Sequence, residues 1–306
     1  MTRHVRPSVA VCTLVRGRRD HLRNLLVGLT RQTQRPDLVC VAVMGGPDPR
    51  SAARGLSLPI RWIDVPIEKS PLPLAAARNA ARRAAGRSAH LVFLDVDVIP
   101  DVTLVADYSQ RLLRSDALWS GHVEYLPAMD LHGWSYALLG RTGRPHPART
   151  RPVRDVRIER PELFWSLSFA LRSATYDRIG GFDECFVGYG AEDTDFALRA
   201  DAAGVPLLTT GDALGWHQHH ESTVPPVEHL HDIIGNAHTY RRRWGRWPME
   251  GWLTAFAELG LIEWDPDGAQ LAATSDARSM VAADDRRPDA LADDALRCVS
   301  STGGLG

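Results

Sequence analysis

The sequence predicts an α/β protein with a mixed, mostly parallel central sheet flanked by helices. Three observations carry that prediction. Short apolar, β-branched runs alternate with amphipathic or Ala-rich helical stretches over the first part of the chain. Glycine and proline punctuate the joins between them. The 306 residues are 44% hydrophobic, enough for a real core, yet no apolar run approaches the roughly 18–20 residues of a membrane span.

The elements follow in order. Residues 8–15 (SVAVCTLV) read as a first strand, and an Arg-rich loop then leads into a helix marked by Leu22, Leu25, Leu26 and Leu29. Residues 38–44 form a second buried-type strand closed by Gly45-Gly46-Pro47, and residues 60–65 a short third. Residues 74–85 are Ala-rich and helical up to Gly86. Residues 90–94 (HLVFL) are a further strand that runs into Asp95-Val96-Asp97. The second half is less regular. Strands are expected at 164–171 and 206–210, and helices at 175–179 and 192–203. Residues 141–160, basic and proline-containing, read as a mobile loop. From 265 onward the chain is acidic, Ala-rich and aromatic-free, and 265–306 reads as a disordered tail. The expected division is a catalytic domain over 1–264, with a donor half to about 100 and an acceptor half beyond it. In such sheets ligands bind beyond the carboxyl ends of strands, where both the Arg16 loop and the Asp95/Asp97 segment lie.

Bulk properties exclude several classes. A net charge of -1 gives no global field for nucleic acid. The four cysteines, Cys12, Cys40, Cys185 and Cys298, form no CxxC pair, so reduced thiols and no zinc site are expected. The N-terminus lacks an apolar signal region. The expected place is the cytoplasm, with a peripheral membrane contact compatible with a lipid acceptor.

Four segments carry chemistry. Asp95 and Asp97 stand two apart at the end of an apolar strand, where alternate side chains share a side. Two convergent carboxylates suit Mg²⁺ or Mn²⁺ and thereby a diphosphate. Gly188-Tyr189-Gly190-Ala191-Glu192-Asp193-Thr194-Asp195 opens a late helix with more acids than capping requires, and one of them can serve as general base. Trp216-His217-Gln218-His219-His220 follows the last strand, and imidazole ligates Mn²⁺-type ions. Arg78, inside the Ala-rich helix, is a cation suited to phosphate.

Three stretches, in order, resemble the glycosyltransferases of the GT-A fold, in particular family 2 members with a galactosyltransferase-type C-terminal segment akin to the β-1,4-galactosyltransferases of family 7. They are 14–22 (LVRGRRDHL), 93–100 (FLDVDVIP), and Gly180-Gly181-Phe182-Asp183-Glu184 followed by 188–196 (GYGAEDTDF). The resemblance implies a Rossmann-like nucleotide-diphospho-sugar transferase fold. It implies that Arg16 and Arg18 contact a nucleoside diphosphate, that Asp95 faces the nucleotide, and that Asp97 binds Mn²⁺. Asp193 would be the catalytic base and Glu192 would hold a sugar. His217 would complete the metal shell, with His220 as the alternative. Tyr189 stands where the family often has Trp, which stacks on sugar, and 218–240 would be a lid. The second strand closes on Met44-Gly45-Gly46 where many family 2 enzymes carry an acidic pair, leaving uracil and guanine nucleotides both open.

The expected reaction is metal-dependent inverting transfer of a hexose or N-acetylhexosamine from a nucleoside-diphosphate sugar, UDP-sugar favoured, to a hydroxyl on a saccharide, lipid or small molecule. Two rivals are a sugar nucleotidyltransferase and a catalytically inactive sugar-nucleotide-binding module. The first needs a Gly-rich pyrophosphate loop that Val15-Arg16-Gly17-Arg18-Arg19 matches poorly. Trp244, Trp247 and Trp252 are expected to pack in a core, with an acceptor platform or dimer contact as the alternative.

Overall fold

The computed structural model describes residues 6–67, 71–275 and 277. The chain divides into two units, the first comprising 1–68, 75–182 and 193–220 and the second 69–74, 183–192 and 221–306. In order, the first holds β1 (Val9–Val15), α1 (Arg19–Thr30), β2 (Leu38–Val43), β3 (Ile60–Asp64), α2 (Leu74–Ala85), β4 (His90–Leu94), β5 (Val98–Pro100) and α3 (Leu104–Arg114). It continues with β6 (Leu118–Tyr125), α4 (Tyr136–Thr142), β7 (Arg144–Pro145), β8 (Val156–Arg157), β9 (Ser168–Arg172), α5 (Ser173–Ile179), α6 (Glu192–Ala202) and β10 (Leu207–His217). Helices α2 and α6 each start on the last residue of a second-unit segment.

Strands β1 and β4 are buried at every residue. Continuous apolar runs of this kind are what parallel strands covered on both faces require. The strand order is β3-β2-β1-β4-β9-β6-β10-β5. The first four strands are mutually parallel, as is β6 with β10, while β9 and β5 run antiparallel to their neighbours. The mixed sheet expected from the sequence is therefore present. Pleating sends successive side chains to opposite faces. Val92 and Ala170 join the cluster that takes Leu22, Leu25, Leu26 and Leu29 from α1 and Leu104, Tyr108 and Leu112 from α3. The next residue along β4, Phe93, stacks at 4.6 Å on its β9 partner Phe169 within a second, aromatic cluster. Phe182 and Phe196 stack there at 4.3 Å, so the phenylalanines of the Gly-Phe and Glu-Asp motifs are core residues.

Several elements depart from expectation. Helix α3 and strand β6 arise where the sequence pattern predicts no regular element. Strand β10 extends seven residues past the predicted 206–210, to His217, and so delivers the histidine cluster directly. The segment 141–160 carries β7 and β8, which pair with β6 and β10, and Arg111 clamps it by donating to Asp155 at 2.8 Å. It is paired into the sheet rather than a free loop.

The second unit holds α7 (Leu230–Trp244), α8 (Glu250–Glu258), β11 (Ile262–Trp264) and β12 (Leu271–Ala273). Its own core gathers Leu230, Ile233, Ala237, Trp247, Leu253 and Phe256. Trp247 packs there as expected, with its indole N–H donating to the Asp265 carbonyl at 3.0 Å. From Leu230 the segment expected as a lid is helix. Strand β12 lies within the span read as tail, and most of the rest of that span falls outside the described residues. Cys12 and Cys40 are buried free thiols, but Cys185 is disulfide-bonded, so the expectation of reduced thiols fails there. Among the described residues no helix is long and apolar enough to cross a membrane.

Candidate functional site

The site in the first unit starts from β4. That strand stops at Leu94, and the chain turns at once, with Val98 N–H donating to the Asp95 carbonyl at 3.0 Å. The two-residue strand alternation that would align Asp95 with Asp97 therefore ends before them, and the two carboxylates go to different neighbours.

Asp97 is buried and lies with His217 and His220 so that one ligand atom from each falls within 4.8 Å of the others. His217 ends β10 and His220 follows three residues later, so both histidines, rather than one or the other, share this grouping. Asp95 is not part of it. Burial pushes the His217 imidazole down to about 4, which keeps it neutral and its lone pair available to a cation. The Tyr125 ring stacks on His217 at 4.8 Å, holding its plane. Asp97 Oδ1 is buried and accepts no hydrogen bond among the described residues. Its Oδ2 accepts from Arg18, and His220 Nε2 stands 3.7 Å from the same oxygen. His21 Nε2 lies 3.9 Å from Oδ1 and meets the His219 carbonyl at 3.2 Å.

Buried Gln218 ties this arrangement together. Its backbone N–H donates to the Asp97 carbonyl at 2.7 Å, its amide donates to the His21 carbonyl at 3.1 Å, and its side-chain oxygen accepts from Asn24 at 2.8 Å. One residue thus joins β10, α1 and the Asp97 turn.

Asp95 belongs to a second chain of contacts. Arg78 is buried, donates to Ser166 Oγ at 2.9 Å and stands 3.4 Å from Asp95 Oδ1. Ser166 N–H in turn donates to Asp193 Oδ2 at 3.4 Å, while Thr194 N–H donates to Asp193 Oδ1 at 2.7 Å. Arg149, stacked over the Trp165 ring at 4.0 Å, senses the Asp193 charge, although burial lowers its own proton affinity. The line Asp95–Arg78–Ser166–Asp193 thus connects two motifs nearly a hundred residues apart. Asn79, next to Arg78, accepts from Phe182 N–H at 2.9 Å and Tyr176 OH at 2.6 Å, which locks α2 onto the Gly-Phe stretch.

The third acid of the late motif is structural. Asp195 is fully buried and accepts from Arg199, one turn on, at 2.8 Å. Glu192 is buried at the start of α6. Tyr189, in the second unit, is 38% exposed. Its ring stacks on His229 at 4.6 Å and on Trp252 at 5.6 Å, so Trp252 adds an aromatic face as well as core packing. Arg16 is exposed. His21, Ser166, Tyr125 and Gln218 do not stand out in the sequence. Only Gln218 carries a local signal, being an amide set among histidines at a strand end.

Residues 146–217 match the model of a family described as N-terminal domain of galactosyltransferase. Validoxylamine A glucosyltransferase of Streptomyces hygroscopicus subsp. limoneus is 30% identical over 241 residues, covering 67% of this chain and 50% of that protein. The same-named protein of Streptomyces hygroscopicus subsp. jinggangensis is 40% identical over 68 residues, 22% of this chain and 16% of that one. The chain therefore spans half the length or less of these curated relatives. Among solved structures, S. aureus TarS residues 1–349 in complex with UDP-GlcNAc superposes with a TM-score of 0.55 at 14% identity, over 83% of this chain and 72% of that one. GalNAc-T7 with UDP, GalNAc and Mn²⁺ gives 0.54 at 13% identity, over 78% and 51%. The fold is that of the GT-A glycosyltransferases, and residues 146–217 carry a galactosyltransferase-type segment.

Proposed function

We propose that the chain is a metal-dependent, inverting glycosyltransferase that moves a hexose or N-acetylhexosamine from a nucleoside-diphosphate sugar, UDP-sugar favoured, to a hydroxyl acceptor. The observation that carries this reading is the meeting of Asp97, His217 and His220, together with the contacts from Asp95 through Arg78 and Ser166 to Asp193. One carboxylate and two imidazoles form a mixed oxygen–nitrogen donor set that suits Mn²⁺, with Mg²⁺ the poorer match. The buried Asp97 Oδ1, with no hydrogen-bond donor among the described residues, fits such a ligand. GalNAc-T7, a neighbour in fold, was solved with UDP and Mn²⁺, which supports the same choice. When bound, the cation neutralises charge that develops on the leaving diphosphate.

In this reading Asp193 takes the proton from an acceptor hydroxyl. The hydroxyl oxygen attacks the anomeric carbon from the face opposite the diphosphate. The carbon–oxygen bond to the diphosphate breaks, its electron pair leaves with the nucleoside diphosphate, and the proton stays on Asp193. Each Asp193 oxygen accepts a hydrogen bond from the backbone, which fixes the carboxylate. Arg16 and Arg18 bind the diphosphate, Arg78 orients Asp95 towards the nucleotide, and Glu192 and Tyr189 hold sugar. These fixed charges and dipoles stabilise the transition state without reorganising.

Incubation with Mn²⁺ and a panel of nucleotide sugars should release nucleoside diphosphate, and Asp193→Asn should abolish transfer while leaving donor binding largely intact. Near-normal turnover in that variant would refute the assignment of the base, and pyrophosphate release would favour a nucleotidyltransferase.

A further inference from the structure

We infer that Arg18 is a tethered cation that competes with the divalent ion for Asp97 and, once displaced, is handed to the diphosphate, so that the two ligands bind cooperatively through one side chain. This rests on the metal reading above. The guanidinium of Arg18 donates to Asp97 Oδ2, the carboxylate oxygen that also faces His220 Nε2 at 3.7 Å. An ion held by Asp97, His217 and His220 would draw on this one carboxylate, and the positive charge of Arg18 against its Oδ2 opposes that ion, so the two cations compete for Asp97.

The burial of the two partners is unequal. The Asp97 side chain is 8% exposed, whereas that of Arg18 is 40% exposed. A buried carboxylate left uncompensated is costly, so Asp97 demands a cation at all times. A more solvated arginine can leave at small cost, so Arg18 is the partner that yields. Its backbone is suited to holding it there. Arg18 sits in the left-handed region at φ 38°, directly after Gly17 at φ 62°, a conformation a non-glycine residue keeps only when its surroundings impose it.

The arginines that follow it, in α1, are engaged elsewhere. Arg19 pairs with Asp20 and Ser51, and Arg23 donates to the carbonyls of Ala52 and Arg54. Among the described residues the only carboxylate within ion-pair distance of Arg18 is that of Asp97. When an ion takes Asp97, the freed guanidinium has no acid to go to until a diphosphate arrives. Each ligand therefore lowers the cost of binding the other, and by linkage the effect is reciprocal.

The test measures Mn²⁺ binding to the full chain by electron paramagnetic resonance, with and without UDP, for the natural protein, Arg18→Gln and Arg18→Lys. Arg18→Gln should bind Mn²⁺ alone on the order of tenfold more tightly than the natural protein, the loss of one competing ion pair. UDP should then tighten Mn²⁺ binding less in that variant than in the natural chain. Arg18→Lys keeps the charge and should stay close to the natural protein in both respects. Equal or weaker Mn²⁺ binding by Arg18→Gln, with clear binding by the natural chain, would overturn the competition alone. No Mn²⁺ binding by any of the three would overturn the metal reading and this inference with it.

Discussion

Replacing Gly181 by alanine should cost much more stability than the same change at Gly86, and the structure says why. Both glycines have positive φ, +72° and +60°. Any L side chain there pays about 1–2 kcal/mol for the left-handed backbone. At Gly86 that is the whole effect, because a Cβ would meet nothing within 4 Å. At Gly181 the Cβ would stand 2.7 Å from Asn79 Oδ1 and 3.1 Å from Tyr176 Cε1. Asn79 cannot easily give way. Its Oδ1 accepts from Phe182 N–H at 2.9 Å and Tyr176 OH at 2.6 Å, and its amide donates to the Phe182 carbonyl at 2.8 Å. Relieving the clash breaks at least one of these bonds and leaves a part-buried polar group poorly satisfied, a further loss of about 1–3 kcal/mol. The expected totals are about 2–5 kcal/mol for Gly181→Ala and about 1–2 for Gly86→Ala. Urea unfolding followed by circular dichroism measures both. Equal midpoints would refute the argument that Asn79 is locked. Because Arg78 neighbours Asn79 on α2, Gly181→Ala should also reduce transfer, whereas Gly86→Ala should not.

Three further outcomes are expected. Arg78→Met removes a buried cation from Asp95 and Ser166 and should cost about 3 kcal/mol in urea unfolding, with part recovered by Arg78→Lys; an unchanged midpoint would show that the guanidinium holds nothing in place. His217→Ala and His220→Ala should each weaken Mn²⁺ binding by more than about tenfold, and a variant that binds as well as the natural chain would remove that histidine from the centre. His122 is buried, and desolvation followed by the Arg151 charge lowers it from 6.5 to about 4. The unfolded chain therefore binds the proton first, so the stability tied to neutral His122 is full above pH 6.5 and is lost as pH falls towards 4, about 3 kcal/mol at most. His122→Asn should flatten the pH dependence of unfolding over that window, and profiles that run parallel would refute the assignment.

The parallel half of the sheet is readable because its central strands are buried on both faces, which writes unbroken apolar runs into the sequence at β1, β2 and β4. The Asp95–Asp97 and Glu192–Asp193 segments are legible as candidates because each packs its acids within a few positions. What escapes depends on distant pairings. Ser166 gains its place only because Arg78 lies 88 residues earlier in sequence and Asp193 27 later. His21 is an ordinary helix residue until the loop after β10 meets it 198 residues later. Asp195 carries the same local signal as Asp193, yet a turn-distant arginine makes it structural. The period-two argument for Asp95 and Asp97 fails because it assumes a strand running through Asp97, whereas β4 ends at Leu94.

The short strand β5 gives the candidate centre a mechanical side. It is the last strand in the sheet order, only three residues long, and it pairs with the end of β10 so that Val98 faces His217. Asp97, directly before β5, and His217, the last residue of β10, thus lie at one end of an edge ladder. A slip of one residue would shift a ligand by about 3.3 Å and turn it to the other face. An ion bridging Asp97 and His217 would act as a rivet that fixes registration, and correct registration would in turn create its affinity. Amide exchange at Val98 and Ile99 would then slow as Mn²⁺ is added, making this edge of the sheet a reporter of metal occupancy that needs no substrate at all.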